Sequence, residues 1–277
     1  MTALLAFAAA LAVPALAFTP LERAFAARRQ ALLRREWMTD FAFLLGQYWV
    51  CAGAVIASLS AFSALVAPHL TRLQIAVAAQ PFWLQACEAV LLGDLLIYWA
   101  HRLSHRYDVL WRFHRVHHTA EHLDWLAAYR EHPLDGLFTQ FWINLPGILM
   151  GFPIELIAGV AAFRGMWAVF IHSNVRLPLG WLGIVLGSPE LHHWHHDREH
   201  GGHSNYANLN PLMDILFGTY QRPLRRPEFG VNESVPRGYL AQLMYPLVPA
   251  RVAQRVAKQW QRTLRMRPAT RRAPRRT

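Results

Sequence analysis

Charged residues are scarce in this sequence. Only 16% of its 277 residues are Asp, Glu, Lys or Arg, whereas 54% are hydrophobic. Soluble domains carry about 25% charged residues, so this composition argues against a soluble globular protein and favours a membrane protein. There are fewer acidic residues than basic ones, 17 against 28, which gives a formal net charge of +11. No nucleic-acid-binding motif accompanies the basic excess, and we expect anionic lipid headgroups, not nucleic acid, to face it.

Cysteine is rarer still. Cys51 and Cys87 both lie in apolar runs, where cysteine behaves as a small hydrophobic residue. We therefore expect no disulfide, and the two residues give no indication of the redox compartment.

Long apolar runs predict an all-α fold, an integral membrane helical bundle. Three spans are expected at residues 3–18, 41–66 and 82–100, and a helical hairpin is expected over residues 136–151 and 153–171. Each span is close to the roughly 20 residues that cross a bilayer, although the first is short.

Prolines, glycine and charge set the expected breaks and the orientation. Pro68 predicts a loop after the second span, Pro146 an interruption in the first arm of the hairpin, and Gly151 its turn. The N-terminal run resembles a cleaved signal, but no basic residue precedes it and five arginines follow between residues 23 and 35. Because basic segments stay in the cytoplasm, we predict a retained, multi-pass protein whose third span ends at the cytoplasmic face.

Histidine is abundant, with 15 residues, and eight of them form three boxes. The boxes are His101 and His105; His114, His117 and His118; and His192, His195 and His196. Residues three and four apart share one face of a helix, so each box is expected to aim its rings in one direction. Neutral imidazole is the commonest metal ligand near physiological pH. Eight ligands exceed the four of one tetrahedral zinc, so the pattern predicts two metal ions.

The first two boxes constrain the backbone between them. His105 and His114 are nine residues apart, which on one unbroken helix is about half a turn out of phase. We therefore predict a break near Tyr107 and Asp108, so that both boxes converge on one centre.

The boxes and their surroundings resemble a known family. Further similar segments are Asp94 to His101, Leu110 to His114, Asp124 to Pro133, His172 to Asn174, Ser188 to His192 and Asn205 to Tyr220. Together they resemble the fatty acid hydroxylase/sterol desaturase superfamily of integral-membrane di-iron enzymes, over about residues 20–222. We accordingly predict a membrane-embedded domain over residues 1–222 and a basic C-terminal interfacial helix and tail over residues 223–277.

The resemblance implies a chemistry that ligand type alone leaves open between iron, copper and zinc. It implies two iron ions and O2 as co-substrate, in a histidine-rich helical cap at the cytoplasmic face. The reaction would hydroxylate or desaturate a C–H bond of a lipid or sterol-like substrate, with ether-lipid cleavage of the alkylglycerol monooxygenase kind as an alternative. Electrons would come from a separate ferredoxin, or from a b-type cytochrome with its reductase. A membrane metal carrier or store and a lipid-hydrolysing zinc enzyme are the competing classes.

Other residues in these segments are candidates for the same site. His172 is expected to join the eight box histidines as a ligand. His132, His193, Asp94 and Asn174 are possible additional ligands or hydrogen-bond partners of ligands. Ala168 stands where some family members carry a further histidine, so a ligand at that position is missing here. Further candidate partners for the ring nitrogens are Asp124, Glu131, Asp197 and Asp214.

Overall fold

The computed structural model describes residues 2–248, apart from residues 178, 181 and 200. Regular structure among these residues is helical, and Ala26 and Val175 form an isolated antiparallel bridge. The predicted all-α class is therefore confirmed. The predicted C-terminal interfacial helix, expected at about residues 249–266, lies outside the described residues. The predicted domain boundary at residue 222 stays a prediction.

Within the described part of the chain, four helical segments are long and apolar enough to cross a membrane. They are Phe7–Ala24 within α1 (Thr2–Ala24), the continuous stretch Trp37–Ala78, α4 (Phe82–Arg106) and α7 (Ile154–His172). A further helix, α6 (Pro133–Met150), packs against the second of these segments and against α4.

The second span is longer than predicted. It comprises α2 (Trp37–Gly46), a π-helical turn (Gln47–Cys51) and α3 (Ala52–Ala78), without a break. Pro68 lies inside α3, so the predicted loop there is wrong. The helix continues for ten residues beyond Pro68, and a membrane helix tolerates the loss of the single backbone donor that proline removes. The chain turns instead just before α4, which begins after Pro81.

The predicted hairpin is present, with one correction. Gly151 ends α6 in the left-handed conformation, at φ 69°, which glycine adopts without steric cost. A Cβ there would lie 2.7 Å from Gln74 Cγ, so the close approach of α3 also requires glycine. Pro146, in contrast, lies within α6 and does not interrupt it.

The predicted break between the first two boxes is also confirmed. α4 ends at Arg106, Tyr107 is extended at φ −109° and ψ 122°, and α5 (Asp108–His118) begins at the next residue. This single extended residue redirects α5 and lets it face the end of α4.

Shorter elements complete the region around the histidines. They are a 3-10 turn (Ala127–Tyr129), α8 (Leu182–Val185), α9 (Pro189–His195), a second 3-10 turn (Gly201–His203), α10 (Leu212–Leu216), α11 (Tyr239–Met244) and a third 3-10 turn (Tyr245–Leu247). α11 packs on the start of the second span, where the rings of Tyr239 and Phe43 are 4.8 Å apart. Residues 223–248 thus pack on the helical body.

Candidate metal centre

Nine histidines converge in two groups. The five-histidine group consists of His101, His105, His114, His118 and His195, and the four-histidine group of His117, His172, His192 and His196. Within each group the ring nitrogens that face one another all lie within 4.8 Å. These nine are the eight box histidines and His172.

Each HxxHH box contributes to both groups. In the second box, His114 and His118 belong to the five-histidine group and His117 belongs to the four-histidine group. In the third box, His195 belongs to the five-histidine group, whereas His192 and His196 belong to the four-histidine group. At about 100° per residue, the second and third histidines of such a box diverge by roughly 60° and 40° on opposite sides of the first. The expectation that each box points in one direction is confirmed for His101 and His105, which lie in one group, and wrong for the two HxxHH boxes, each of which contributes to both groups.

Helix ends position the rings. The last two turns of α4, α5 and α7 supply six of the nine, and α9 supplies the rest, with His196 at its end. α9 begins where the Ser188 hydroxyl accepts a hydrogen bond from the Leu191 amide, 3.3 Å away, and Pro189 follows Ser188. Both features favour helix initiation at this point.

Five of the rings are oriented by hydrogen bonds from Nδ1 to oxygen acceptors outside the groups. His101 donates to the Tyr206 carbonyl (2.6 Å), His117 to the Arg130 carbonyl (3.0 Å), His172 to the Ala168 carbonyl (2.6 Å) and His195 to the Ser204 carbonyl (2.8 Å). His114 donates to the Asp135 carboxylate, at 2.9 Å. Because Nδ1 carries the proton in each, Nε2 of the neutral ring presents a lone pair.

In each group, two of these Nε2 atoms lie close together. Nε2 of His101 and Nε2 of His114 are 3.1 Å apart in the five-histidine group, and Nε2 of His117 and Nε2 of His172 are 2.9 Å apart in the other. Two neutral rings with both Nδ1 protons already donated cannot form a hydrogen bond between their Nε2 atoms. Two nitrogens bound about 2.1 Å from one cation, at right angles, lie about 3.0 Å apart. The donor set therefore fits one cation in each group.

Burial keeps the rings neutral. It lowers the pKa of His195 to about 3, and burial together with neighbouring imidazoles lowers the pKa of His117, His118, His192 and His196 well below the ordinary value. At neutral pH these rings are therefore unprotonated and available as metal ligands.

Other candidates from the sequence lie outside both groups. The ring of His132 caps α6 by accepting from the Leu134 amide and donates to the Leu243 carbonyl, 3.0 Å away. His193 Nε2 contacts the Ser173 carbonyl at 3.0 Å. Asp94 pairs with Arg164, and Asn174 bonds the backbone of Arg28.

The carboxylate that contacts a ring nitrogen was not among those that the sequence favoured. Asp135 lies in the first turn of α6 and nothing in its spacing marks it. Of the favoured residues, Asp124 pairs with Arg34, and Asp214 accepts from the amides of Tyr206 and Ala207. Asp214 thus fixes the loop whose Tyr206 carbonyl orients His101, which is an indirect contribution.

A buried ionic network holds the acceptor of His117 in place. The side chain of Arg130 is fully buried and donates to Asp40 (2.5 Å) and Glu36 (2.9 Å). Asp40 also pairs with Arg34, at 2.7 Å, and Arg34 in turn pairs with Asp124. The start of the second span is therefore linked through Arg130 to the orientation of His117.

A cavity of about 210 Å³ reaches both groups. Its lining includes His101 and His114 of one group and His117, His172 and His192 of the other, and apolar side chains such as Ile97, Ile143, Ile157 and Val160 form much of the rest. An apolar cavity with a few polar groups is typical of a ligand site.

Residues 86–219 match the family model described as fatty acid hydroxylase. This stretch contains all three boxes and His172. This match and the relatives described below support the resemblance to the fatty acid hydroxylase/sterol desaturase superfamily. The matched stretch is shorter than the 20–222 over which the sequence motifs resemble the family.

Three of the similar proteins have names from different activity classes. Ornithine lipid hydroxylase OlsE of Rhizobium tropici is 32% identical over 169 residues, which cover 60% of this chain and 51% of that protein. Human alkylglycerol monooxygenase is 28% identical over 148 residues, or 53% of this chain and 33% of that protein. Delta(7)-sterol 5(6)-desaturase ERG3A of Gibberella zeae is 34% identical over 138 residues, or 48% of this chain and 37% of that protein.

The chain thus spans about half the length of the first of these relatives and a smaller share of the other two. No solved structure matches the chain.

Proposed function

We propose that this chain is a membrane oxidoreductase that uses two iron ions and O2 to oxidise a C–H bond of a lipid or sterol-like substrate. The observation that carries the proposal is the meeting of two Nε2 lone pairs in each of two groups, at 3.1 and 2.9 Å, on the wall of an apolar cavity. Iron, when bound, would supply the oxygen activation that the protein's own side chains cannot perform. The resemblance to lipid hydroxylases and a sterol desaturase favours iron over zinc or copper.

The protein's own part is to hold ligands and position substrate. The nine histidines would hold the metals, while Asp135 and four backbone carbonyls fix five of the rings. The apolar cavity walls would bind a hydrocarbon chain with one carbon beside the two groups and exclude water from it. None of these histidines is needed as a general acid or base.

The orientation in the membrane belongs to the same proposal. Five arginines between residues 23 and 35 follow α1, and Arg102, Arg106, Arg112 and Arg115 lie on the histidine-bearing ends of α4 and α5. Under the positive-inside rule these residues support a multi-pass protein with its histidines facing the cytoplasm. The same basic surface would suit an acidic electron donor, a ferredoxin or a b-type cytochrome with its reductase.

Ether-lipid cleavage is the second candidate. Three relatives from Homo sapiens, Danio rerio and Xenopus tropicalis are alkylglycerol monooxygenases, each matching more than half of this chain. Oxygen insertion beside an ether oxygen gives an unstable product that splits into an alcohol and an aldehyde. The two reactions therefore share a first step and differ in the products that accumulate.

Lipid extracts of cells with and without the gene would test the proposal. Mass spectrometry should show a lipid that gains one oxygen, loses two hydrogens, or loses an alkyl chain. His117→Ala and His195→Ala, one from each group, should abolish the change. His69→Ala is the matched control, because His69 is exposed on α3 and outside both groups. Unchanged lipids in every comparison, or normal activity of both ligand variants, would refute the proposal.

A further inference from the structure

Two buried N–H groups without an acceptor belong to residues on the wall of the cavity. They are Nε of Arg164 and Nε1 of Trp167. The residues are three apart on α7 and so share a face of that helix. A buried donor that lacks an acceptor is destabilising. Both residues line the same cavity, so a ligand there that brings an acceptor between them would satisfy the two donors.

The rest of the Arg164 guanidinium is already committed. Its Nη1 donates to Asp94 Oδ1 and its Nη2 to the Val90 carbonyl, both at 2.6 Å. The other carboxylate oxygen of Asp94 accepts from the Asn210 amide, also at 2.6 Å. Nε is therefore the donor of this side chain that remains for a ligand.

The same contacts restrict the charge of that ligand. Asp94 neutralises Arg164 within the membrane-spanning helices, so a phosphate or carboxylate group would arrive as an uncompensated buried charge, which is costly. A neutral oxygen acceptor meets both N–H groups without that cost. Ester, amide, ether and hydroxyl oxygens share this chemistry.

The two donors lie at a defined distance from the histidines. Trp167 and Arg164 precede His172 by five and eight residues, which is roughly 7.5 and 12 Å along the helix axis. A lipid whose oxygen binds between them would therefore place a carbon several bonds away beside the histidine groups.

We propose that Arg164 and Trp167 form an oxygen-binding site in the cavity, which binds a neutral oxygen atom of the lipid substrate and sets which carbon lies beside the two histidine groups. This inference rests on the proposed lipid substrate. It assigns positioning roles to the two residues, while Asp94 and Gly93 support Arg164. Gly93 is required there, because a Cβ on it would lie 2.8 Å from Arg164 Nη2.

Binding of two matched probes tests the proposal without turnover. Tritiated octadecyl acetate and tritiated octadecane are titrated onto the purified full-length protein in detergent, without reductant, by scintillation proximity. The wild-type protein should bind the ester about tenfold more tightly, because the ester oxygen accepts from the charged Arg164 Nε–H and from the Trp167 Nε1–H together.

Two variants separate the hydrogen bonds from the fold. Arg164→Lys keeps a positive charge opposite Asp94 but loses Nε–H, and Trp167→Phe keeps an aromatic ring but loses the indole N–H. Each should reduce the ester preference to about twofold and leave octadecane binding unchanged. Arg72→Lys, at an exposed arginine on α3, should keep the tenfold preference. If Arg164→Lys does not fold, Trp167→Phe alone decides.

Three results would overturn the inference: equal binding of both probes by the wild-type protein, an undiminished ester preference in the folded variants, or stronger competition by octadecyl phosphate than by octadecyl acetate. Failure of the oxidation in cells together with a retained ester preference would refute the proposed reaction but support the oxygen-binding site. Normal oxidation without any ester preference would refute the oxygen-binding site alone.

Discussion

Loss of the Asp135 carboxylate should weaken one of the two metal sites selectively. Asp135 is 3% exposed, and its Oδ2 accepts from Nδ1 of His114 at 2.9 Å. His114 belongs to the five-histidine group, whereas the acceptors of the four-histidine group are backbone carbonyls of Arg130 and Ala168. Asp135→Ala therefore removes the orienting group of one site and leaves the other intact.

The expected size follows from similar hydrogen bonds in metalloproteins. Removing the partner of a ligating histidine costs about 10- to 100-fold in metal affinity, which is about 1.4–2.7 kcal/mol. Asp135→Asn keeps an oxygen acceptor in nearly the same place and should lose much less. Anaerobic competition between the protein and a colorimetric ferrous chelator measures both affinities, and should show one of two iron equivalents leaving earlier in Asp135→Ala.

Asp108→Ala provides the matched control. Asp108 is an exposed carboxylate in the first turn of α5, and its removal should not change either affinity. If Asp135→Ala releases iron like the wild-type protein, or if both equivalents weaken equally, then the contact between Asp135 and His114 does not orient one particular site.

Two further substitutions test the supports of the site. Gly93→Ala should lower the unfolding temperature in detergent, because its Cβ would lie 2.8 Å from Nη2 of the buried Arg164, which donates to the Val90 carbonyl. Gly159→Ala, whose Cβ would meet nothing within 4 Å, should not lower it, and equal melting of the two variants would contradict this prediction. Asp40→Asn removes the carboxylate shared by Arg34 and Arg130, so we expect faster limited proteolysis and earlier iron release from the four-histidine group. Unchanged proteolysis and iron release would show that the ionic network does not support His117.

The sequence predicted the membership of the site better than its arrangement. Spacing of three and four residues was enough to select the eight box histidines, and helical phase was enough to predict the break at Tyr107. How each HxxHH box is divided between two groups depends on where α5 and α9 lie relative to α4 and α7. That placement is a tertiary property which a spacing argument does not contain.

The errors have physical causes of the same kind. Pro68 and Pro146 were expected to break their helices, yet both lie within one, because neighbouring helices and local adjustments compensate for one missing donor in a membrane helix. Asp135 was overlooked because a carboxylate in the first turn of a helix is ordinarily favoured by the helix dipole alone. Only the approach of α5 to α6 gives it a histidine partner.

The metal content of the purified protein tests the central claim most directly. Elemental analysis of the wild-type protein, expressed with iron and purified without oxygen, should give two iron ions per chain. His195→Ala and His172→Ala, one from each group, should each retain fewer. One ion or none in the wild-type protein, or two in both variants, would contradict the account.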